Sequence, residues 1–196
     1  MKMELLIAGL VLFLGVHSTR ILADGWRARM LARVGEKPWK LGYTVVSLLG
    51  FVLIVYGFGQ ARQAPEWVFV APAWGRHLTM LAMWVSMILL AASHSPQSHY
   101  KAWLHHPMLW ATLLWSATHL TVRHQKHDAV LFGAFAVWSA LCLVSSYARD
   151  ARNGTTYGPP VLKKTLIATA AGTVLYLVFV FGLHKLLMGM SPLLGH

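Results

Sequence analysis

Long apolar runs are the feature that most limits how this 196-residue chain can fold. A helix needs roughly 20 mainly apolar residues to cross the hydrocarbon core of a bilayer. Six segments reach or approach this length: about Met3–Ala23, Leu41–Phe58, Trp74–Ala92, Pro107–Val122, Ala129–Tyr147 and Leu166–Leu187. Because lipid offers no partner to backbone N–H and C=O groups, each segment is predicted to be a helix. The runs therefore predict an all-α integral membrane bundle of about six transmembrane helices.

The composition agrees with a membrane protein. Hydrophobic residues make up 57% of the chain and charged residues only 12%, whereas soluble domains carry about a quarter charged residues. The loops between the apolar segments are too short for a separate soluble domain. We therefore expect residues 1–196 to form a single transmembrane domain in contact with the lipid bilayer.

The placement of the basic residues predicts an orientation in the membrane. The formal net charge of +11 invites a nucleic-acid partner, but the charges lie at the ends of apolar segments, which argues against one. Lys and Arg concentrate in loops that remain in the cytoplasm. The first, third and fifth loops hold eleven of them, and the opposite side holds six. The chain is thus predicted to be a multi-pass protein of a bacterial inner membrane with both termini in the periplasm.

Eleven histidines are many for a chain of this length. Those near segment ends and in loops, such as His124 and His127, are expected to be interfacial or solvated. Others, including His17, His106 and His119, lie within or at the edge of apolar segments, where polar groups are expensive and tend to face the bundle interior. A neutral imidazole there can form an interhelical hydrogen bond or ligate haem iron, and the sequence leaves both open.

Spacing restricts how these histidines can combine. His106 and His119 are separated by about 20 Å along a helix and about 220° around it, so they cannot bind one iron together. A haem with two axial histidines would instead take one from each of two helices, pairing His17 with either of them. Depth alone favours His106. Trp115, on the same face as His119, can form one wall of a pocket for a flat ring or can take part in ordinary helix packing.

Several motifs resemble the NnrU family of bacterial membrane proteins, and the resemblance covers essentially the whole chain. The matching stretches are residues 9–18 with Arg20, residues 33–36, Lys40, residues 42–43 and 47–50, residues 56–62, His106-Pro107-Met108-Leu109, Trp115, His119-Leu120, residues 131–133, Trp138 and residues 183–189. The family is named for a link to nitrogen-oxide metabolism in denitrifying bacteria.

The family is similar to the plant 15-cis-zeta-carotene isomerase, a membrane enzyme with haem b between two axial histidines. This resemblance implies haem b here, with His17 and His119 as iron ligands, and His106 as an alternative ligand or a group beside the site. It also implies isomerase-like or redox chemistry on an apolar substrate. The stretch Thr121–Asp128 departs from the family pattern by being more basic and carrying two extra histidines, which affects the loop and not the helix histidines.

Other functions remain open from the sequence, including whether the protein is an enzyme at all. It can be a non-enzymatic accessory, assembly or sensing protein for nitrite or nitric oxide reductase components. An isoprenylcysteine-type methyltransferase is a further alternative, because His105-His106-Pro107 resembles its Arg-His-Pro motif, although the Arg is missing. A transporter is disfavoured because no inverted repeat is evident.

Overall fold

The fold is known from a computed structural model that describes residues 2–70, 72 and 74–193. Its helices are α1 (Lys2–His17), α2 (Thr19–Leu22), α3 (Asp24–Val34), α4 (Glu36–Ala61), α5 (Gly75–Ala92), α6 (His99–Leu104), α7 (Pro107–Val122), α8 (Lys126–Asn153), α9 (Leu162–Val178) and α10 (His184–Met188), with a π-helical turn, Phe179–Leu183, joining the last two. The described residues contain no strand, only an isolated bridge between Trp67 and Gln125. The prediction of an all-α membrane protein is confirmed.

Of the described helices, four are long and apolar enough to cross a membrane: Glu36–Ala61, Gly75–Ala92, Lys126–Asn153 and the continuous run Leu162–Met188. α1 and α7 are shorter apolar helices of 16 residues each. Large apolar side chains on these helices are exposed, for example Val52 at 60% and Phe181 at 72%. In water such a surface would be unfavourable, but in lipid it is the expected outer face. The chain is a multi-pass membrane protein.

Some helix ends differ from the predicted segments. α7 runs over the predicted residues, and proline suits its first position because proline lacks an N–H and has a helical φ. The first predicted segment instead breaks at Ser18, where α1 ends and the four-residue α2 begins. α4 begins at Glu36, five residues before the apolar run, because polar residues at a membrane surface extend a helix without adding hydropathy.

Contacts divide the chain into two compact units, and the first comprises residues 1–70 and 123–138. In it, α1 packs against α4 with very close backbones. A Cβ built on Gly9 would lie 2.5 Å from the backbone nitrogen of Ile54, and one built on Gly50 would lie 2.7 Å from that of Phe13. Small residues allow such contact between helices in lipid. Leu6, Leu10 and Ile54 form the buried cluster beside these glycines.

The second unit comprises residues 71–122 and 139–196. Here α5 packs against both α7 and α9. Two hydroxyl bonds tie α5 to α7: Thr79 donates to the carbonyl of Thr118 at 3.0 Å, and Ser86 donates to that of Ala111 at 2.8 Å. α8 begins in the first unit and ends in the second, so its two halves belong to different units.

Candidate functional site

His17, the last residue of α1, has a fixed tautomer. Its Nδ1 lies 2.6 Å from the carbonyl oxygen of Phe13, one turn earlier. A carbonyl only accepts hydrogen bonds, so Nδ1 carries the proton and the lone pair is on Nε2. This is the form in which histidine ligates a metal through Nε2, and the Nδ1–H···O=C bond also makes the ligand more basic.

Aromatic rings surround the His17 imidazole within the first unit. Ring centroids lie 4.3 Å away for Phe13, 5.1 Å for Tyr43 and 6.2 Å for Trp138. Because these rings come from α1, α4 and α8, three helices hold the imidazole in an apolar setting. His17 is partly buried among these rings, and their apolar surfaces suit the face of a flat aromatic cofactor.

Ser18 fixes the end of α1 beside this histidine. Its hydroxyl donates to the carbonyl of Leu14 at 2.6 Å and accepts the indole N–H of Trp138 at 3.1 Å. Ser18 is buried, with 9% of its surface exposed, so both bonds satisfy a polar group that would otherwise be costly to bury. In the His-Ser pair, His17 therefore provides an imidazole of fixed orientation, and Ser18 provides a hydrogen bond to another helix.

His119 in α7 repeats the arrangement of His17. Its Nδ1 lies 2.7 Å from the carbonyl oxygen of Trp115, again four residues earlier, which leaves the lone pair on Nε2. The ring centroid of Trp115 lies 5.8 Å from that of His119. Both predicted ligand histidines thus have the same tautomer and an aromatic residue one turn before them. The structure brings Trp115 and His119 together, as their spacing on one helix requires.

His106, the alternative ligand, has a different environment in the second unit. Its Nε2–H donates to a carboxylate oxygen of Asp150 at 2.8 Å, and the Tyr157 hydroxyl donates to the same oxygen at 2.7 Å. Burial lowers the pKa of His106, and the Asp150 carboxylate offsets this only in part. The imidazole is therefore neutral near pH 7, and its Nε2 is occupied by Asp150 and not available to a metal without breaking that bond.

An unusual turn places His106 at the start of α7. His105 has a φ of +56°, and the His106 N–H donates to the carbonyl of Leu104, which closes a γ-turn. Positive φ is rare for a residue with a side chain. Neighbours hold the turn in place: Tyr147 donates to the Leu104 carbonyl at 2.7 Å, and the His105 ring stacks on Tyr157 at 4.2 Å.

Sequence reasoning missed Asp150, Tyr157 and Lys101 as neighbours of His106. Asp150 lies 44 residues from His106, between Arg149 and Arg152. No local pattern links these residues. The one available signal was that Asp150 is an acidic residue at the end of a long apolar segment, where it needs a partner.

The expectation that His127 is solvated is wrong. Its side chain and that of the adjacent Asp128 are each 1% exposed, and the His127 ring packs against Phe58 at 5.0 Å. Arg123 lies 3.5 Å from the Asp128 carboxylate. The basic loop before α8 thus packs within the first unit, where Arg123 and Asp128 form an ion pair. His124 stacks on Trp67 at 4.5 Å in the same unit.

Across the described ranges, no group of three or more His, Cys, Asp or Glu residues is arranged to hold a metal ion. A haem with two axial histidines does not need such a group, because the porphyrin supplies the other four ligands. The donor chemistry of His17 and His119, two imidazoles whose Nδ1 bonds direct ligation to Nε2, fits haem iron.

Comparisons with known proteins agree with the resemblance at the family level. The family model described as NnrU protein matches residues 5–192, nearly the whole chain. No curated protein and no solved structure matches the chain significantly. With this match over the described membrane helices, the chain belongs to the NnrU protein family.

Proposed function

We propose that this protein binds haem b with His17 and His119 as its axial ligands and acts on an apolar substrate that enters from the lipid. The observation that carries the proposal is the shared tautomer. Both histidines give their Nδ1 proton to the carbonyl four residues earlier, at 2.6 Å and 2.7 Å, which directs both lone pairs to Nε2. Histidines that ligate a metal almost always donate their other ring N–H in this way, which fixes the ring and makes the ligand more basic.

The chain's own residues provide orientation and an apolar environment. The carbonyls of Phe13 and Trp115 hold the imidazoles, and the rings of Phe13, Tyr43 and Trp138 surround that of His17. When bound, haem supplies redox and ligand-exchange chemistry at its iron. The resemblance extends this proposal to isomerase-like chemistry on a molecule such as a polyene, in a setting of nitrogen-oxide metabolism.

The proposal assigns His119, and not His106, as the second ligand. The Nε2 of His106 is bonded to Asp150 at 2.8 Å, and Tyr157 shares that carboxylate oxygen. Using His106 as a ligand would break a charge-assisted hydrogen bond inside a partly buried cluster, a loss of about 1.5–3 kcal/mol. His119 keeps its Nδ1 bond to the Trp115 carbonyl when it acts through Nε2.

Absorption spectra of the purified protein, oxidised and reduced, test the proposal together with haem content. We expect a Soret band in the wild type and its loss in His17→Ala and His119→Ala. His77→Ala is the matched control, because His77 is exposed on α5, and it should keep full haem content. Added imidazole should restore the band in the two ligand variants, which it would not do for a variant that merely misfolds.

Two results would contradict the proposal. Wild-type protein without a Soret band after expression with ample haem would remove haem binding altogether. Loss of the band in His106→Ala, with His119→Ala unchanged, would move the second ligand to His106.

A further inference from the structure

The second unit contains a cleft whose lining includes neither of the proposed ligand histidines. Its volume is about 200 Å³, and it is lined by Ser93, Lys101, His106, Pro107, Met108 and Leu109. The lining combines the polar side chains of Lys101, His106 and Ser93 with the apolar side chains of Met108 and Leu109. The cleft is therefore amphipathic.

Lys101 is a partly buried cation that lacks a carboxylate partner. Its ammonium contacts the ring of Tyr157 at 5.4 Å, and within the residues that the structure describes it forms no ion pair with Asp or Glu. Burial lowers the pKa of Lys101 while Asp150 opposes this. A cation held in this way gains from an anion that enters the cleft.

The Asp150 carboxylate, which lies beside His106, already accepts two hydrogen bonds. One oxygen of the Asp150 carboxylate accepts both the His106 Nε2–H at 2.8 Å and the Tyr157 hydroxyl at 2.7 Å. Because His106 is neutral near pH 7, it adds no charge of its own. The Asp150 carboxylate keeps its charge in these bonds, but it interacts with two cations, Lys101 and Arg149, so the charges beside the cleft sum to a positive value that can attract an anion.

The position of the cleft favours a lipid as the source of that anion. Ser93 directly follows α5, His106 directly precedes α7, and Asp150 lies in the last turn of α8, so three ends of membrane helices meet there within one unit. Trp103 on the adjoining α6 is 71% exposed, and exposed tryptophans are typical of the headgroup level of a membrane. Lipid phosphates lie at that level.

We propose that this cleft binds the phosphate group of an anionic membrane lipid, with Lys101 as the counter-ion and the acyl chain against Met108 and Leu109. The shared chemistry is a phosphate oxyanion, so a soluble phosphate is the competing source. The site is separate from haem binding, because Lys101 and His106 are not the proposed iron ligands.

The test uses the full chain in nanodiscs of phosphatidylcholine titrated with phosphatidylglycerol, with lipid binding followed by native mass spectrometry and tryptophan fluorescence. We expect Lys101→Gln to weaken phosphatidylglycerol binding about 1.5-fold to fivefold, as for the loss of one partly exposed charge pair. Lys101→Arg should restore binding. Lys163→Gln, which removes an exposed cation from α9, is the matched control and should bind like the wild type.

Haem content serves as an independent readout, and Lys101→Gln should leave it unchanged. Equal binding of phosphatidylglycerol by the wild type and Lys101→Gln would overturn the proposal. Displacement of the lipid by millimolar inorganic phosphate would also overturn the lipid assignment, since a soluble phosphate would then be the ligand.

Discussion

Replacing Gly50 by alanine tests the close packing of α1 against α4 and, through it, the support of His17. The added Cβ would lie 2.7 Å from the Phe13 nitrogen and 3.0 Å from its Cα and Cβ. Ordinary van der Waals contact begins near 3.4 Å, so the helices must separate by about 0.7 Å. Because backbone atoms are involved, rotation of a side chain cannot relieve the clash.

The magnitude follows from two opposing effects. Alanine favours a helix over glycine by about 0.5–1 kcal/mol, whereas overpacking of this kind costs about 1–3 kcal/mol. Gly59→Ala is the matched control, because Gly59 lies in the same helix with no atom within 4 Å of its added Cβ. The helix preference is common to both variants and cancels. Gly50→Ala should therefore unfold with a free energy about 1–3 kcal/mol lower than Gly59→Ala.

Unfolding in detergent micelles, followed by tryptophan fluorescence against temperature, measures the difference. A loss of ~1–3 kcal/mol corresponds to a Tm lower by roughly 2–12 °C for a chain of this size. Since Phe13 carries the carbonyl that fixes the His17 tautomer, Gly50→Ala should also lower haem content if His17 is a ligand. Equal melting of Gly50→Ala and Gly59→Ala would refute the packing argument.

Three further changes have defined outcomes. Trp138→Phe removes the N–H that Ser18 accepts at 3.1 Å and should lower stability by about 1 kcal/mol; unchanged denaturation in detergent would contradict this. Burial lowers the pKa of His106 in the folded protein, so the unfolded chain binds the proton more readily and stability should fall as the pH drops below about 6.5; His106→Gln should weaken this pH dependence, and an equally steep loss in that variant would assign it elsewhere. Reporter fusions test the predicted orientation: green fluorescent protein inserted at Gly154 should fluoresce and alkaline phosphatase at the N-terminus should be active, whereas the reverse pattern would invert the topology.

The sequence predicted the membrane class and several helices because lipid makes long apolar runs necessary. It predicted the limits of α7 well, since Pro107 is a strong local start signal. It did not predict the beginning of α4 at Glu36, because hydropathy detects the part of a helix in lipid and not its extension into the headgroups. Ser18, at the break between α1 and α2, accepts a hydrogen bond from Trp138, 120 residues away, and no local pattern encodes this contact.

The candidate site was likewise predictable from the sequence only in part. The spacing from His119 to Trp115 is a helical repeat and could be predicted. The tautomers of His17 and His119 depend on hydrogen bonds to carbonyls of their own helices. The sequence allows these bonds but does not determine that they form. The Asp150 bond to His106 joins residues 44 positions apart, so only the packed unit creates it. Likewise, burial of His127 depends on Phe58 from another helix.

The π-helical turn Phe179–Leu183 has a consequence for insertions and deletions in the last membrane helix. A π turn holds one residue more than the α turn it replaces. Deleting one residue there would restore regular α-helix and leave the residues that follow on nearly the same side, because one full turn is completed in either case. His184, whose Nδ1–H now donates to the Met190 carbonyl at 2.8 Å, would keep its direction, whereas a deletion within the regular part of α9 would turn it by about 100°. The π turn is thus a position at which this helix can lose a residue without turning its end.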